Sequence, residues 1–328
     1  MDLAKTSASY VVVALTLLTT GCGNLQMQNG GSGIGRIAGG QAIGRSSSSG
    51  ALLYVGSYGN GEDGVSILTY PQGQIVAQFQ PNAAYVDSLC ADTSGDVFVG
   101  ANDGGEGFIY EYAHGGTTPI ATLDDPERKP VACSVDPITG NLAVVSSTGS
   151  DSGNVVSVYP AAQYPPTDYT DPTMDLYFNC AYDDNGNLFV SGEDDYKPKQ
   201  SPKLTELPAG GSSFSDITLN KRIARPGSVQ WLGSYLALSD LHGIHHIDIS
   251  GTSGTIVGKT VAEHLKNQWL VYGSTLISPY GRSEGYPFEA AYWKYPKGGK
   301  ATQVLNKGFG LNVNSVAISV GSGATLRR

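Results

Sequence analysis

The sequence predicts an all-β fold, a six-bladed β-propeller with four antiparallel strands per blade. Three observations carry that prediction. The first is a turn begun by Asp and closed by Gly. It occurs at Asp92–Asp96 before Val97-Phe98-Val99, at Asp136–Asn141 before Leu142-Ala143-Val144, and at Asp183–Asn187 before Leu188-Phe189-Val190. Weaker copies lie at Leu232–Leu236 and Tyr272–Leu276, so the glycines at 95, 140, 186, 233 and 273 are spaced by 45, 46, 47 and 40 residues. Asp starts such a turn by bonding its own backbone, and Gly takes the positive φ. The second is a series in phase with the first: Tyr70-Pro71, Tyr112, Tyr159-Pro160, Leu207-Pro208 and Tyr295-Pro296, most of them followed closely by Gly. The third is composition. The 328 residues include 44 Gly and 19 Tyr and only 15% charged side chains, which suits a turn-rich β-protein.

Each repeat therefore holds four short strands in about 45 residues, the signature of a propeller blade. Inner strands are expected near 87–92, 131–136, 178–183, 227–232, 268–272 and 314–319. The last has no second strand after it, and Ala51–Val55 has no inner strand before it. The two halves complete one blade and remove an exposed sheet edge. The one stretch with a helical period is Thr260–Lys266.

The chain divides accordingly. Residues 1–22 read as an export signal, with Lys5 ahead of the apolar run 11–18. That run is too short to span a bilayer. Thr19-Thr20-Gly21-Cys22 is similar to a bacterial lipobox, which makes Cys22 the expected lipidation site and a lipid anchor the expected membrane contact. A secretory signal cleaved nearby is the alternative. Residues 23–50 are a Gly/Ser-rich tether, residues 51–320 the propeller, and residues 321–328 a disordered tail. The propeller holds 15 of the 20 basic residues and 28 of the 29 acidic ones, which argues against a nucleic-acid partner. The chain is expected to be extracytoplasmic and monomeric.

The Tyr-Pro-x-Gly strand ends and the Asp-x-x-Gly turns resemble exported six-bladed propellers of the NHL-like or gluconolactonase-like superfamily, specifically its lipoproteins of unknown function. The resemblance covers nearly all of residues 51–320. It implies the fold and, as an alternative function, a divalent-metal-dependent lactonase, esterase or lyase with its site at the channel mouth. The early Glu-Gly-Pro segment of such enzymes has no counterpart here.

The residues themselves favour a binding or scaffold module for a protein, peptide or glycan. Loops joining second to third strands share one face of the ring and carry ten acids. Asp103, Asp151, Glu193 and Asp240 are the candidate ligands for Ca²⁺ or another divalent cation there. Tyr54, Tyr58, Tyr85, Tyr177, Tyr196, Tyr280 and Tyr286 lie near those loops as candidate stacking surfaces. The repeating tyrosines and Trp231, Trp269 and Trp293 are expected to pack between strands and blades. His242, His245 and His246 cluster, but adjacent strand residues point to opposite faces and do not chelate together. No Gly-x-Ser-x-Gly or His-Glu-x-x-His motif occurs. Cys90, Cys133 and Cys180 lie on inner strands. Cys90 is two residues before its turn Asp and the others three, so Cys90 faces the opposite side. They read as small buried hydrophobes, with a Cys133–Cys180 disulfide as the pairing considered.

Overall fold

The computed structural model describes residues 50–58, 64–148, 154–194, 201–266, 268–281, 288–305, 308–310 and 312–321. The signal segment with Cys22, the tether but for Gly50, the tail but for Gly321, and Asp151 therefore lie outside the described residues.

Six small sheets form six blades. Blade 1 begins with β1 (Ala51–Ser57), β2 (Gly64–Thr69) and β3 (Ile75–Phe79). Blade 2 is β4 (Tyr85–Ala91), β5 (Val97–Asn102), β6 (Gly107–Tyr112) and β7 (Ala121–Asp125). Blade 3 is β8 (Lys129–Val135), β9 (Leu142–Ser147), β10 (Val155–Tyr159) and β11 (Thr167–Tyr169). Blade 4 is β12 (Leu176–Tyr182), β13 (Leu188–Asp194), β14 (Ser201–Leu207) and β15 (Ser215–Asp216). Blade 5 is β16 (Thr218–Leu219), β17 (Val229–Trp231), β18 (Leu236–Asp240), β19 (Gly243–Ser250) and β20 (Ser253–Thr260). Blade 6 is β21 (Leu270–Tyr272), β22 (Thr275–Tyr280), β23 (Glu289–Lys294) and β24 (Gln303–Leu305). The chain then returns to blade 1, where β25 (Val313–Val320) pairs antiparallel with β1, from Ala51↔Val320 to Ser57↔Val313. The ring closes as the sequence predicts.

Blade 5 departs from four antiparallel strands. β16 adds a parallel edge to β20, with Thr218 N–H donating to Thr252 O and Asn220 N–H to Gly254 O. The link from blade 4 thus covers an edge that would otherwise stay open. Thr260–Lys266 forms a strand end, bridges and a turn, not a helix. Its apolar spacing serves packing in the cluster shared by blades 5 and 6.

Second strands read as continuous apolar runs because they are sandwiched by neighbouring blades on both faces. Every residue of β5 is buried, and β22 is nearly so. Outermost strands face water on one side, so β3 alternates half-buried and exposed. The turns behave as predicted. Asp92 Oδ1 accepts from Ser94 N–H (2.9 Å) and Asp96 N–H (2.8 Å), and Asp183 Oδ1 accepts from Asn185 and Asn187 N–H (both 2.8 Å). The second turn series places Gly73, Gly115, Gly210 and Gly298 at φ between 65° and 71°. Tyr112 and Tyr159 of the repeating tyrosines are fully buried.

Inner strands carry a feature the repeat pattern hides. β4, β8 and β12 each bulge, skipping Asp87, Val131 and Phe178. All three stand five residues before their turn Asp. The bulges bring blades together: Ser88 Oγ donates to Pro130 O of the next blade (2.7 Å).

The cysteine pairing is a correction. Cys90 and Cys133 form a disulfide, Cα–Cα 5.7 Å, whereas Cys180 is free and buried. In a propeller each blade turns one face to the blade before it and the other to the blade after it. Cys90 and Cys133, of opposite parity on adjacent blades, therefore meet between blades 2 and 3. Cys133 and Cys180 share a parity, so Cys180 faces back toward blade 3, its Sγ 4.0 Å from Ala143 O. The parity argument is sound, but opposite faces on neighbouring blades converge, which rules out Cys133–Cys180.

Candidate functional site

Of the four candidate carboxylates on the loop face, Asp151 lies outside the described residues, and Asp103, Glu193 and Asp240 each have local partners. Asp103 is fully exposed, and its Oδ1 accepts from Gly105 N–H (3.1 Å) and Glu106 N–H (2.9 Å). Those bonds hold its carboxyl below the usual range. Glu193 is buried, with Arg225 Nε 3.6 Å from its Oε2 and the guanidinium over Phe178 at 5.0 Å. Asp240 lies 2.9 Å from His245 Nε2 and accepts from the N–H groups of Ala224 (3.1 Å) and His242 (2.7 Å). Burial works against its ionisation, but those partners leave its pKa below the ordinary value. Among the described residues no group of three or more His, Cys, Asp or Glu is placed to hold a metal ion.

The candidate tyrosines divide. Tyr54 is fully buried, and its hydroxyl accepts from Gly115 N–H (2.7 Å). Tyr177 is buried, its hydroxyl accepting from Asp171 N–H (2.5 Å), and Tyr280 packs edge-on to His264. Tyr58 and Tyr85 meet edge to face at 5.9 Å, with Tyr85 exposed. Tyr196 and Tyr286 lie outside the described residues. His245 and His246 do diverge. His246 Nε2 meets Thr260 Oγ1 (3.0 Å), its ring lies against Tyr235 and Tyr295, and burial lowers its pKa.

The concave site lies elsewhere. A cavity of about 620 Å³ occupies the central channel, lined by all six innermost strands. This is within the usual range of small-ligand pockets, ~300–1,000 Å³. It opens on the face carrying the Asp-Gly turns, opposite the loop face, and its mouth is formed by Asp92, Thr93, Pro137, Asp184, Gly273 and Ser274. Its aromatic lining is lopsided. Blades 4 to 6 contribute Tyr182, Trp231, Tyr235, Trp269, Tyr272 and Tyr295, whereas blades 1 to 3 contribute no aromatic residue among the described ones and present aliphatic side chains, Asp92, Thr93, Ser134 and the Cys90–Cys133 disulfide.

Neighbouring groups set the positions of these rings. Asp184 Oδ2 accepts from Trp231 Nε1 (3.0 Å), and the same indole stacks on Phe189 of blade 4 at 6.4 Å. The hydroxyls of Tyr235 and Tyr295 are 2.9 Å apart. Gln230 bonds both backbone groups of Val271 on the next blade, at 2.7 and 3.0 Å. Among the described residues, Asp92 and Asp184 are the charged side chains on the wall, and no Lys, Arg or His lines it. Burial pushes the Asp92 carboxyl above its ordinary pKa, against the pull of its turn amides.

One bond crosses the ring. Gln268 of blade 6 lines the cavity, and its Nε2 donates to Val131 O (2.6 Å), the bulged residue of blade 3. In a ring of six these blades are opposite each other. The bond spans the ring at the ends of the inner strands away from the Asp-Gly turns.

Comparison with known proteins adds the fold. No family model matches the chain, and no curated protein does. A solved structure of hydrazine synthase from Kuenenia stuttgartiensis is similar, with a TM-score of 0.51 and 14% identity, covering 60% of this chain and 61% of that one. At that identity the likeness shows the β-propeller fold alone.

Sequence reasoning assigned the tryptophans to packing, and they do pack. It missed that Trp231 and Trp269 also face the channel. The signal was present: an aromatic residue stands at the end of the inner strand in blades 4, 5 and 6, as Tyr182, Trp231 and Tyr272.

Proposed function

We propose that the protein is an exported binding module of the NHL-like propeller kind, anchored through Cys22, that holds a small ligand or the end of a larger one in its channel cavity. The observation that carries the reading is the cavity: concave, aromatic on one side, and built from residues that packing and hydrogen bonds already hold in place. Preorganised rings lose little freedom on binding. The lipobox-like segment and the Cys90–Cys133 disulfide suit an oxidising, extracytoplasmic setting.

The site is tested by thermal unfolding with a panel of soluble sugars, amines, carboxylates and short peptides. A ligand at 100 times its dissociation constant stabilises by about 2.7 kcal/mol. Stabilisation by at least one probe class, lost in Ala91→Trp with its own melting temperature kept, is expected. Stabilisation that survives the filled cavity would move the site elsewhere. Export is tested separately by mass spectrometry of the membrane-associated protein for acyl groups on Cys22, with release into the soluble fraction expected for Cys22→Ser.

A further inference from the structure

We propose that blade 5 carries a second site, a cationic pocket that binds the phosphate group of a phosphate ester. It shares no lining residue with the channel cavity. The pocket encloses about 370 Å³ and is lined by Lys221, Arg222, His245 and residues 256–259. Among the described residues, no Asp or Glu lines it.

The fold builds this pocket from a pinned arch and a bulged strand. β16 pairs with β20 at Thr218↔Ser253 and Leu219↔Gly254, and Asn220 Oδ1 then accepts from Ile256 N–H (2.9 Å). The link is fastened again where Ala224 N–H donates to Asp240 Oδ2 (3.1 Å). Between those two bonds Ile223 is buried in the cluster shared by blades 4 and 5. Lys221 and Arg222 therefore stand on a short arch held at both ends. Opposite them β20 bulges: His246 pairs with Gly258 and Ile247 with Ile256, so Val257 is the extra residue. A bulge re-aims side chains. It lets four consecutive residues line one pocket, where regular alternation would send every second one to the other face.

Charge names the ligand class. Lys221, Arg222 and Lys259 are exposed, and none of them has an ion pair among the described residues. This is unusual in a propeller region with 15 basic and 28 acidic residues, whose first 77 residues, 51–127, contain no Lys or Arg. Asp240, beside the arch, is already committed to His245 Nε2 at 2.9 Å. Three like charges around one concavity repel one another, and an anion relieves that repulsion. A phosphate group brings up to two negative charges and several acceptor oxygens, suited to the fork of Arg222 and the point charges of two lysines. A carboxylate brings one charge. Ile256 lines the pocket and Val257 is 57% exposed beside the cations, an apolar contact for the organic part of an ester.

The phosphate group has two possible carriers, a soluble ester and the headgroup of an anionic phospholipid, and the test separates them. The Cys22→Ser chain is used, so that no acyl group contributes. It is titrated calorimetrically with inorganic phosphate, glycerol 3-phosphate and acetate at matched ionic strength. It is also sedimented with phosphatidylcholine vesicles, with and without phosphatidylglycerol. An exposed ion pair is worth up to about fivefold in affinity. Replacing Lys221, Arg222 and Lys259 together by Gln is therefore expected to weaken binding at least about tenfold, with the melting temperature kept. Gln at Lys294, Lys297 and Lys300, three exposed lysines of blade 6, removes the same net charge and is expected to leave binding unchanged. Saturable binding of the free phosphates with that pattern supports a soluble ester. Sedimentation only with phosphatidylglycerol, with that pattern, supports a lipid headgroup. Equal losses in the two triple variants would overturn the pocket in favour of net charge alone. Acetate binding as tightly as phosphate would overturn the phosphate class. Binding of none of these probes would overturn the site and leave the channel reading untouched.

Discussion

Removing the Cys90–Cys133 bridge tests the blade-parity logic and has a calculable effect. The bridge closes a loop with a sequence separation of 43 residues. In the chain-entropy treatment a loop of that length costs the unfolded state about 13 cal/mol/K, which is about 4 kcal/mol at 25 °C. The propeller spans ~270 residues, and at about 2.1 cal/mol/K per residue its unfolding entropy is about 0.57 kcal/mol/K. The double variant Cys90→Ser/Cys133→Ser is therefore expected to melt about 7 °C lower, and reductant is expected to shift the native chain but not the variant. Cys180→Ala should retain the full response to reductant, since Cys180 is unbridged. Peptide mapping under non-reducing conditions should join the Cys90 peptide to the Cys133 peptide. A bridge containing Cys180, or equal melting temperatures with and without the double substitution, would refute the reasoning.

Three further predictions concern the blade seams and turns. Burial lifts the Asp87 carboxyl to about 6, against a bond from Asn102 Nδ2 and the nearby Lys129 charge. A folded-state pKa raised above the unfolded value means the folded state binds the proton more tightly. Stability from this group then falls as pH rises from about 4 to about 6. Asp87→Asn should stabilise by on the order of 2 kcal/mol at pH 7.5 and by almost nothing at pH 4; urea titrations showing equal gains at both would sink this. Gly100→Ala would drive a methyl into Ser88 Oγ and to 2.8 Å from Pro130 O, breaking the bond between blades 2 and 3. A loss of about 1–3 kcal/mol is expected by denaturant unfolding. Ala161 is exposed and held at φ 46°, ψ 39°, a left-handed conformation that Gly adopts freely. Ala161→Gly should therefore raise stability by roughly 0.5–1 kcal/mol in the same assay, and a decrease would argue against strain at that turn.

The blade count, the ring closure and the turn geometry were legible because each repeats. Three Asp-Gly turns about 45 residues apart constrain the architecture more tightly than any single strand assignment does. The cavity was harder to read because its parts are spread over blades 4 to 6 and do not repeat as a motif. Tyr182, Trp231 and Tyr272 become neighbours only once the ring is closed. Gln268 was illegible for another reason. An isolated glutamine ahead of an inner strand carries no pattern, and its partner is the carbonyl of a bulged residue 137 positions away in sequence. The cysteines show a third case. Their parity was readable, yet its meaning depended on which face of each blade looks toward which neighbour.

The pairing of β25 with β1 also fixes a timetable. The first sheet cannot be completed until residues 313–320 have been synthesised, because its innermost strand is β25. Blades 2 to 6 are each made from consecutive stretches and can assemble as the chain emerges, but the ring stays open until its final segment arrives. Contacts this distant in sequence form slowly. In the interval blade 1 presents an unpaired β1 edge and an incomplete apolar face, the kind of surface that aggregates. The seam that secures the finished ring is thus also the step on which its completion waits.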